Sequence, residues 1–341
     1  MSTSTPPLVS FCFTTFKRKE YLRQTLQSIL RQTVGDYEVV VSDNDPEQSA
    51  RVVVEGVGDP RFRYFHNETN MGMKKSYNKS LERSTGQFIV MIADDDPVYP
   101  EMLETLLKAK EQYPGYGVYL GGTNWYVTEP SLARLCGLKV GYNSFLADQP
   151  IGTTTAYPAG EFLKKFFSRQ IFSTYLWSNA IVRRDVLIEK GGVPDYGTAF
   201  LGDYAYLSVM GSHSGVVVVN AALGHQTVHP ENFGRNQNDQ IKTAAINFVD
   251  YVSARVNQVE NWPEVQVAMQ NYVGLWVFSH LAFLRQYFRL NNLEPVGLRE
   301  AEKGAFSIPY VKKYRFKYWF KVHLPALHDL IVGIKSRFRK T

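Results

Sequence analysis

The sequence predicts an α/β fold, with a mostly parallel sheet flanked by helices and an α-helical C-terminal region. Three observations lead to this prediction. Apolar runs rich in strand formers alternate with segments of helical spacing over about the first hundred residues, which is typical of a parallel sheet. The run FIVMIA at residues 88–93 is apolar throughout, so it should be covered on both faces. Beyond about Asn236, long amphipathic segments with few breakers replace the strands.

The elements of the first hundred residues follow from local patterns. Apolar runs predict strands at residues 8–14, 37–41, 62–65 and 88–93. Helical spacing and breakers predict a helix at residues 20–31, a helix that begins after Gly72 and runs to Ser84 with Gly86 as the cap, and a helix from near Pro100. Because the carboxyl ends of parallel strands meet at one edge, ligands are expected there.

The later elements are predicted in the same way. Residues 121–158 are irregular and rich in Gly, Tyr and Thr, which predicts long loops around one or two strands. Further strands are predicted at residues 180–182 and 215–220, and helices from Asp185 and at residues 203–210, 240–256 and 264–289. The chain therefore divides into an α/β region at residues 1–235 and a helical region at residues 236–341.

Composition limits the class of protein. With 341 residues, 44% of them hydrophobic, the chain can bury one large core or one core plus a smaller unit. The two cysteines, Cys12 and Cys136, are too few for a disulfide framework or a cysteine metal cage, and they fit a reducing cytoplasm. The first seven residues lack a secretory profile, and no window approaches the roughly 20 apolar residues that span a bilayer. We expect a protein that is soluble or held at the inner face of a membrane.

The net charge of +6 favours anionic partners, and the excess is concentrated near the C-terminus. Residues 309–340 contain nine lysines and arginines, interleaved with aromatic residues, and one acidic residue, Asp329. This pattern fits a helix lying among lipid headgroups, and it fits equally a solvated helix that packs its aromatic side chains on the protein. Nucleic acid, which basic and aromatic stretches also bind, is the least favoured partner.

The strongest chemical signal is the acidic triplet Asp94-Asp95-Asp96, which directly follows the apolar strand at residues 88–93. Adjacent carboxylates repel one another, so the arrangement calls for a compensating cation. Carboxylate oxygens suit Mg²⁺ or Mn²⁺, which bind diphosphates through one or two carboxylates and keep several waters. The alternative is a solvated acidic turn that caps the next helix. Two other polar clusters, at residues 14–18 and 42–45, also follow predicted strands, which favours a shared site.

Four segments in order resemble a known family. They are VSFCFTTFKRKEYLRQTLQSILRQT, VVVSDND, NMGMKKSYNKSLERSTGQFIVMIADDD and, later, LGDYAYL. Together they make residues 9–229 similar to the inverting glycosyltransferases of family 2, which share the GT-A fold. The resemblance implies a GT-A catalytic domain at residues 1–235 and a nucleotide diphosphate sugar, commonly UDP-linked, as the donor.

The resemblance also implies a donor site. Thr15, Phe16 and Arg18 would line the base and phosphates, and Asp43 would accept a hydrogen bond from the base. Ordinary strand-end packing is the alternative for Thr15 and Phe16, and a turn-forming role is the alternative for Asp43. Asp94 and Asp95 would contact the donor as well. The metal, Mn²⁺ or Mg²⁺, would be held by Asp95 or Asp96, and His229 is a further candidate ligand.

Asp203, in the segment LGDYAYL, would be the general base by the same resemblance. Its predicted place at a helix start should lower its pKa through the helix dipole, although an Asp there can also serve as an N-cap. His225 and His229 are expected to bracket a loop after a strand; zinc is disfavoured because no helix is predicted there, and a phosphate or metal contact by His229 competes with simple packing. Trp177-Ser178-Asn179 could face the acceptor, or Trp177 could be a core residue.

The predicted activity is therefore metal-dependent, inverting transfer of a sugar to a saccharide or lipid-linked saccharide acceptor, as in surface polysaccharide or glycolipid synthesis. A nucleotidyltransferase is the nearest alternative, but it should carry a glycine-rich phosphate loop, and TTFKRKEYL contains no glycine. A non-catalytic nucleotide-sugar-binding module is the other alternative. Intact Asp95, Asp96 and Asp203 argue against it. No oligomeric state is predicted.

Overall fold

A computed structural model describes residues 5–129, 132, 149–172, 174–229, 232 and 238–328. The strands are β1 (Val9–Thr15), β2 (Tyr37–Asp43), β3 (Phe62–His66), β4 (Phe88–Ile92), β5 (Val118–Val127), β6 (Thr154–Tyr157), β7 (Ala180–Arg183) and β8 (Val216–Val228). The helices are α1 (Lys19–Leu30), α2 (Arg51–Glu55), α3 (Met73–Arg83), α4 (Met102–Gln112), α5 (Ala159–Phe167), α6 (Arg184–Glu189), α7 (Gly202–Ser214), α8 (Ile241–Val256), α9 (Trp262–Leu290), α10 (Leu298–Ala305), α11 (Pro309–Lys312) and α12 (Arg315–His323). Short 3₁₀ turns lie at Trp177–Asn179 and Asn238–Gln240.

The strands form one eight-stranded sheet in the order β3-β2-β1-β4-β7-β5-β8-β6. Strands β1 to β4 run parallel, β5 and β8 are parallel to each other, and β6 and β7 pair antiparallel with their neighbours. The prediction of a mostly parallel sheet flanked by helices is therefore confirmed. The reversal at β7 separates the first four strands from β5 and β8.

Alternate residues of the strands enter two separate hydrophobic clusters, one on each face of the sheet. On β4, for example, Ile89 and Met91 pack with α3, α5 and α7, whereas Val90 and Ile92 pack with α1 and α4. This period-two division explains why the run at residues 88–93 is apolar throughout. Burying a Val, Ile or Met side chain stabilises the fold by about 1.5–3 kcal/mol, so both faces contribute to its stability.

Helices α8 to α12 continue the cluster on the α5 and α7 face instead of forming a core of their own. Tyr204 of α7 stacks on Tyr272 of α9 with ring centroids 4.9 Å apart, and Phe167 of α5 contacts Phe248 of α8 edge-on at 6.2 Å. A helical C-terminal region is confirmed. In the described part of the chain, none of the helices combines the length and the apolar composition needed to span a bilayer.

Three local predictions were wrong. Gly86 does not cap α3, which ends at Arg83 with Ser84 as its C-cap. The Gly86 N–H donates to Ser10 Oγ, and an added Cβ would lie 2.6 Å from that oxygen, so the close approach to β1 requires glycine. Strand β8 does not end at residue 220 but continues to Val228 along β5. Consequently His225 lies within the strand and does not flank a loop. The helix α5 had not been predicted. Other predictions concern parts of the chain outside the described residues, namely Cys136, residues 329–340 of the basic tail and most of the boundary near residue 236.

Candidate active site

The end of β4 is tied to the distal half of β8, and this pairing assembles the site. Val98 forms an antiparallel bridge with Gly224, and the Tyr99 N–H donates to the Leu223 carbonyl at 2.7 Å. The His225 N–H donates to the Pro97 carbonyl at 3.0 Å. The residues that follow the acidic triplet therefore run beside β8, which places the last residues of β8 against the triplet itself.

Asp94 and Asp95 are buried, and both carboxylates contact the guanidinium group of Arg18. Thr15 Oγ1 donates to Asp94 Oδ2 at 2.9 Å, and Arg18 Nη1 lies 3.3 Å from Asp94 Oδ1 and 2.9 Å from Asp95 Oδ2. His229 Nε2 lies 3.0 Å from the same Asp95 oxygen. The predicted residues Thr15, Arg18, Asp94, Asp95 and His229 are thus in direct contact.

Asp96 faces β8, where its Oδ1 accepts a hydrogen bond from the Thr227 N–H at 3.2 Å. Burial and the charge of Asp95 raise the pKa of Asp96 well above its ordinary value. The same two causes raise the pKa of Asp94 to about 7, against the lowering effect of Arg18 and Thr15. The acidic triplet is therefore short of positive charge, as adjacent buried carboxylates are expected to be.

Asp203 lies in the first turn of α7, as predicted, and its Oδ1 accepts a hydrogen bond from the Trp177 N–H at 3.2 Å. It is not the N-cap, because that position is Leu201. The prediction of a lowered pKa was wrong: burial, helped by the charge of Asp95, raises the pKa of Asp203 to about 6 despite the backbone hydrogen bond. Burial outweighs the helix dipole because a helix end contributes a fraction of a charge, typically 0.3–1 kcal/mol.

The 3₁₀ turn at Trp177–Asn179 belongs to the core and not to an exposed acceptor face. Trp177 packs edge-on against Tyr77 at 5.0 Å and Tyr206 at 5.7 Å, and Ser178 and Asn179 are fully buried. Its contribution to the site is the backbone N–H that positions Asp203. Of the two alternatives for Trp177, an acceptor contact or a core residue, the structure supports the core residue.

The donor-side residues differ in exposure. Phe16 is 42% exposed beside Lys17, whose backbone is left-handed with φ 58°, and such a side chain is available to a ligand. Asp43 is fully buried, and its carboxylate accepts hydrogen bonds from the Asp45 and Ala50 N–H groups and from the Tyr64 hydroxyl. Asp43 therefore already orders the loop after β2 within the protein.

Two residues that the sequence did not single out support the site. Tyr21, in the first turns of α1, stacks on the His229 ring with centroids 4.5 Å apart. Thr25 Oγ1 donates to the Asp94 carbonyl at 2.8 Å and so anchors the triplet to α1. Both lie on the helix that follows the first polar cluster, but their types and spacing carry no chemical signal of their own.

A divalent cation fits the donor set. Among the described residues, no three His, Cys, Asp or Glu side chains form a complete metal-binding arrangement. Mg²⁺ and Mn²⁺ do not require one, since they use one or two carboxylates together with waters and phosphates. Asp95 and His229 already converge within 3.0 Å, and burial still raises the pKa of Asp94 and of Asp96 although Arg18 lies beside the triplet. A separate groove of about 830 Å³, lined by Gln87, Lys110 and Arg184 among others, includes none of these residues.

Comparison with known proteins identifies the family and the fold. Residues 10–190, more than half of the chain, match the family described as Glycosyl transferase family 2. A Campylobacter jejuni protein named GalNAc(5)-diNAcBac-PP-undecaprenol beta-1,3-glucosyltransferase is 32% identical over 111 residues, which is 31% of this chain and 36% of the relative. The chain thus matches little more than a third of that relative's own length.

Two solved structures share the overall fold. TarS of S. aureus, residues 1–349 in complex with UDP-GlcNAc, superposes with a TM-score of 0.53 at 15% identity and covers 91% of each chain. A mannosyltransferase of Pyrobaculum calidifontis, in complex with GDP-Man and Mn²⁺, superposes with a TM-score of 0.54 at 15% identity, covering 94% of this chain and 88% of its own. These matches confirm the predicted glycosyltransferase fold.

Proposed function

Because the chain belongs to glycosyl transferase family 2, we propose that it transfers a sugar from a nucleotide diphosphate sugar to an acceptor hydroxyl with inversion of configuration. The observation that carries the proposal is the meeting of Arg18, the acidic triplet, His229 and Asp203 at the carboxyl edge of the sheet. UDP is the proposed nucleotide. The resemblance of the first polar cluster and of Asp43 supports it, as does the UDP-GlcNAc held by a structural neighbour.

Each side chain has a role that its surroundings support. Arg18 bears positive charge beside the acidic triplet and is placed to bind the diphosphate. Asp95, Asp96 and His229 would hold Mn²⁺ or Mg²⁺, and the ion, when bound, neutralises negative charge on the leaving diphosphate. Tyr21 holds the His229 ring in place by stacking. Thr15 orients Asp94 through a hydrogen bond at 2.9 Å.

Asp203 is the proposed general base. Its Oδ1 accepts the Trp177 N–H, which leaves further lone pairs on the carboxylate for the proton of the acceptor hydroxyl. A pKa raised to about 6 by burial makes it a better base than an exposed aspartate while it remains mostly ionised at neutral pH. A double displacement would need a second carboxylate as nucleophile. Because the carboxylates of the acidic triplet are engaged by Arg18, Thr227 and His229, a single displacement is favoured.

The proposed acceptor is a saccharide, and more specifically a lipid-linked saccharide at the cytoplasmic face of a membrane. The name of the Campylobacter relative, which refers to an undecaprenol-linked saccharide, supports this class. The proposal places the chain in surface polysaccharide or glycolipid synthesis.

The test is a donor screen with the purified chain. UDP-, GDP- and dTDP-linked sugars are incubated with Mn²⁺, and release of the nucleoside diphosphate is measured with and without chelator. Metal-dependent release from one donor is expected. Absence of release from every donor, together with no metal-dependent nucleotide binding, would leave the chain as a non-catalytic module and overturn the proposal.

A further inference from the structure

Helix α12 presents a row of stacked aromatic side chains to solvent. Phe316 is 76% exposed and Trp319 is 49% exposed, with their ring centroids 6.3 Å apart. Phe320 stacks behind Phe316 at 6.5 Å, and His323 stacks on Trp319 at 5.1 Å. We name Phe316, Trp319 and Phe320 the aromatic ridge. Rings of this size are seldom left in water on a protein that has no partner for them.

The aromatic ridge is not the side by which α12 packs on the hydrophobic core, because the opposite side of the helix already makes that contact. Tyr318 is buried against Phe306 with centroids 5.2 Å apart, and its hydroxyl contacts Glu302 of α10. Lys317 lies over the ring of Phe278 at 4.8 Å. The inner face of the helix is therefore packed on the protein, whereas Phe316 and Trp319 of the ridge are exposed to solvent.

A second apolar group lies beside α12. Leu290, Leu293 and Val296, at the end of α9 and in the turn that follows, are exposed. A groove of about 300 Å³ joins this turn to α12, since Leu293, Val322 and Pro325 all line it. Among the described residues, fourteen large hydrophobic side chains are exposed, and seven of them lie between residues 290 and 327. The apolar exposure of the chain is therefore concentrated in one segment.

The same segment is basic. Lys312, Lys313 and Arg315 are exposed next to the ridge, and the sequence has no acidic residue between Glu302 and Asp329. Aromatic residues and arginine are common at the centres of protein interfaces but lysine is depleted there, so the lysines beside the ridge favour a lipid surface over a second protein. The exposed leucines and valine offer no stacking surface for bases, which argues against single-stranded nucleic acid. Apolar side chains bordered by lysine and arginine are the pattern of a helix lying in an anionic headgroup layer.

We propose that the aromatic ridge and the exposed residues at the end of α9 dock this protein on an anionic lipid bilayer. The inference rests on the proposed function in one respect, namely that the acceptor is lipid-linked. It adds the face that meets the membrane and the lipid charge that this face prefers.

Helix α9 connects this face to the catalytic side of the molecule. Its Tyr272 stacks on Tyr204, the neighbour of Asp203, and its Phe278 contacts Tyr314 just before α12. Both contacts belong to the same hydrophobic cluster. Docking through α12 therefore fixes how the catalytic edge is oriented toward the bilayer, which is what a lipid-linked acceptor requires.

The experiment measures binding of the full chain to vesicles. Flotation is carried out with vesicles of phosphatidylcholine alone and with vesicles containing phosphatidylglycerol, at low and high salt. We expect binding to the anionic vesicles that weakens with salt. Phe316→Ser combined with Trp319→Ser should lower the partition coefficient at least about tenfold. Lys312→Glu combined with Arg315→Glu should remove the preference for anionic lipid.

The matched control is Val52→Ser combined with Val267→Ser, since these side chains are 68% and 59% exposed outside the segment. This control should bind vesicles as the wild type does. The docking proposal is overturned if the wild type does not float with anionic vesicles. It is also overturned if the double variant Phe316→Ser and Trp319→Ser, the aromatic variant, floats as well as the control. It is also overturned if light scattering shows a dimer that only the aromatic variant abolishes, because a second copy then covers the ridge.

Nucleoside diphosphate release in vesicle-free solution separates the two proposals. Wild-type protein that floats but releases no nucleoside diphosphate would contradict the proposed function and leave docking standing. Protein that turns over donor in solution but does not float would do the reverse. The aromatic variant is expected to retain full metal-dependent nucleotide binding.

Discussion

Replacing Asp203 by asparagine removes the proposed general base and little else. Asparagine has the same shape, and its amide oxygen can still accept the Trp177 N–H that Asp203 Oδ1 accepts at 3.2 Å. The variant also removes a carboxylate whose ionised form is disfavoured by burial. The fold should therefore be retained, with a free energy of unfolding no lower than that of the wild type.

The size of the effect follows from the role. General base catalysis by a positioned side chain contributes about 10²–10⁴-fold, so Asp203→Asn should lower kcat by that factor, or about 3–5 kcal/mol in activation free energy. Donor affinity should change less than about threefold, because donor binding is assigned to Arg18 and the acidic triplet, which contact one another, and not to Asp203.

The assay is release of nucleoside diphosphate under saturating donor, with donor affinity measured by calorimetry. The pH profile provides a second readout. Because burial raises the pKa of Asp203 to about 6, the base is protonated below that pH, and kcat of the wild type at saturating metal and donor should fall as pH drops through about 6. The residual activity of the variant should lack this limb.

Asp195→Asn is the control, since that carboxylate is 59% exposed and pairs with Lys74. It should keep kcat within about twofold of the wild type, as expected for a surface ion pair. If Asp203→Asn retained more than a tenth of wild-type kcat, or lost donor binding in proportion to activity, Asp203 would not be the base.

Three further predictions concern the metal, the backbone and acid stability. Asp95→Asn should abolish the Mn²⁺-dependent stabilisation by UDP, about 2.7 kcal/mol at 100 times Kd, in a thermal shift assay; an unchanged shift would exclude Asp95 as a ligand. Gly224→Ala should lower the free energy of unfolding in urea by about 1–3 kcal/mol, because its Cβ would lie 2.6 Å from Asn179 Oδ1. Gly202→Ala, with open space around its Cβ, is the control, and equal losses would refute the steric reason. Burial acts to raise the pKa of Glu38, but hydrogen bonds from its neighbours lower it overall. The ionised Glu38 therefore contributes to the free energy of unfolding at neutral pH, and this contribution is lost as pH falls below about 4.3. Glu38→Gln should flatten that loss in acid unfolding, and an unchanged pH dependence would contradict it.

The sequence predicted the architecture and the edge of the sheet at which the site lies. Strand ends could be read from apolar runs that stop at polar clusters, and parallel strands bring such ends together. Thr15, Arg18 and the acidic triplet therefore meet as their positions after β1 and β4 suggest. A lone aspartate at residue 203 could be placed at a helix start for the same local reason.

Properties set by tertiary packing could not be read in this way. The length of β8 depends on pairing with β5 through register shifts at Gly121 and Gly122, and a local pattern does not report such pairing. The pKa of Asp203 depends on how much protein surrounds it, whereas the sequence shows only the helix start. The stacking of Tyr21 on His229 joins two residues more than two hundred positions apart.

The shared cluster that joins α5 and α7 to α8 and α9 has a consequence for engineering. Exchanging the C-terminal half with that of a relative, to graft a new acceptor preference, would cut through the packing of Phe167 and Tyr204 on Phe248 and Tyr272. A chimera joined near residue 236 would have to preserve both partners of each of these contacts. The folding of the two halves is thus coupled in this chain.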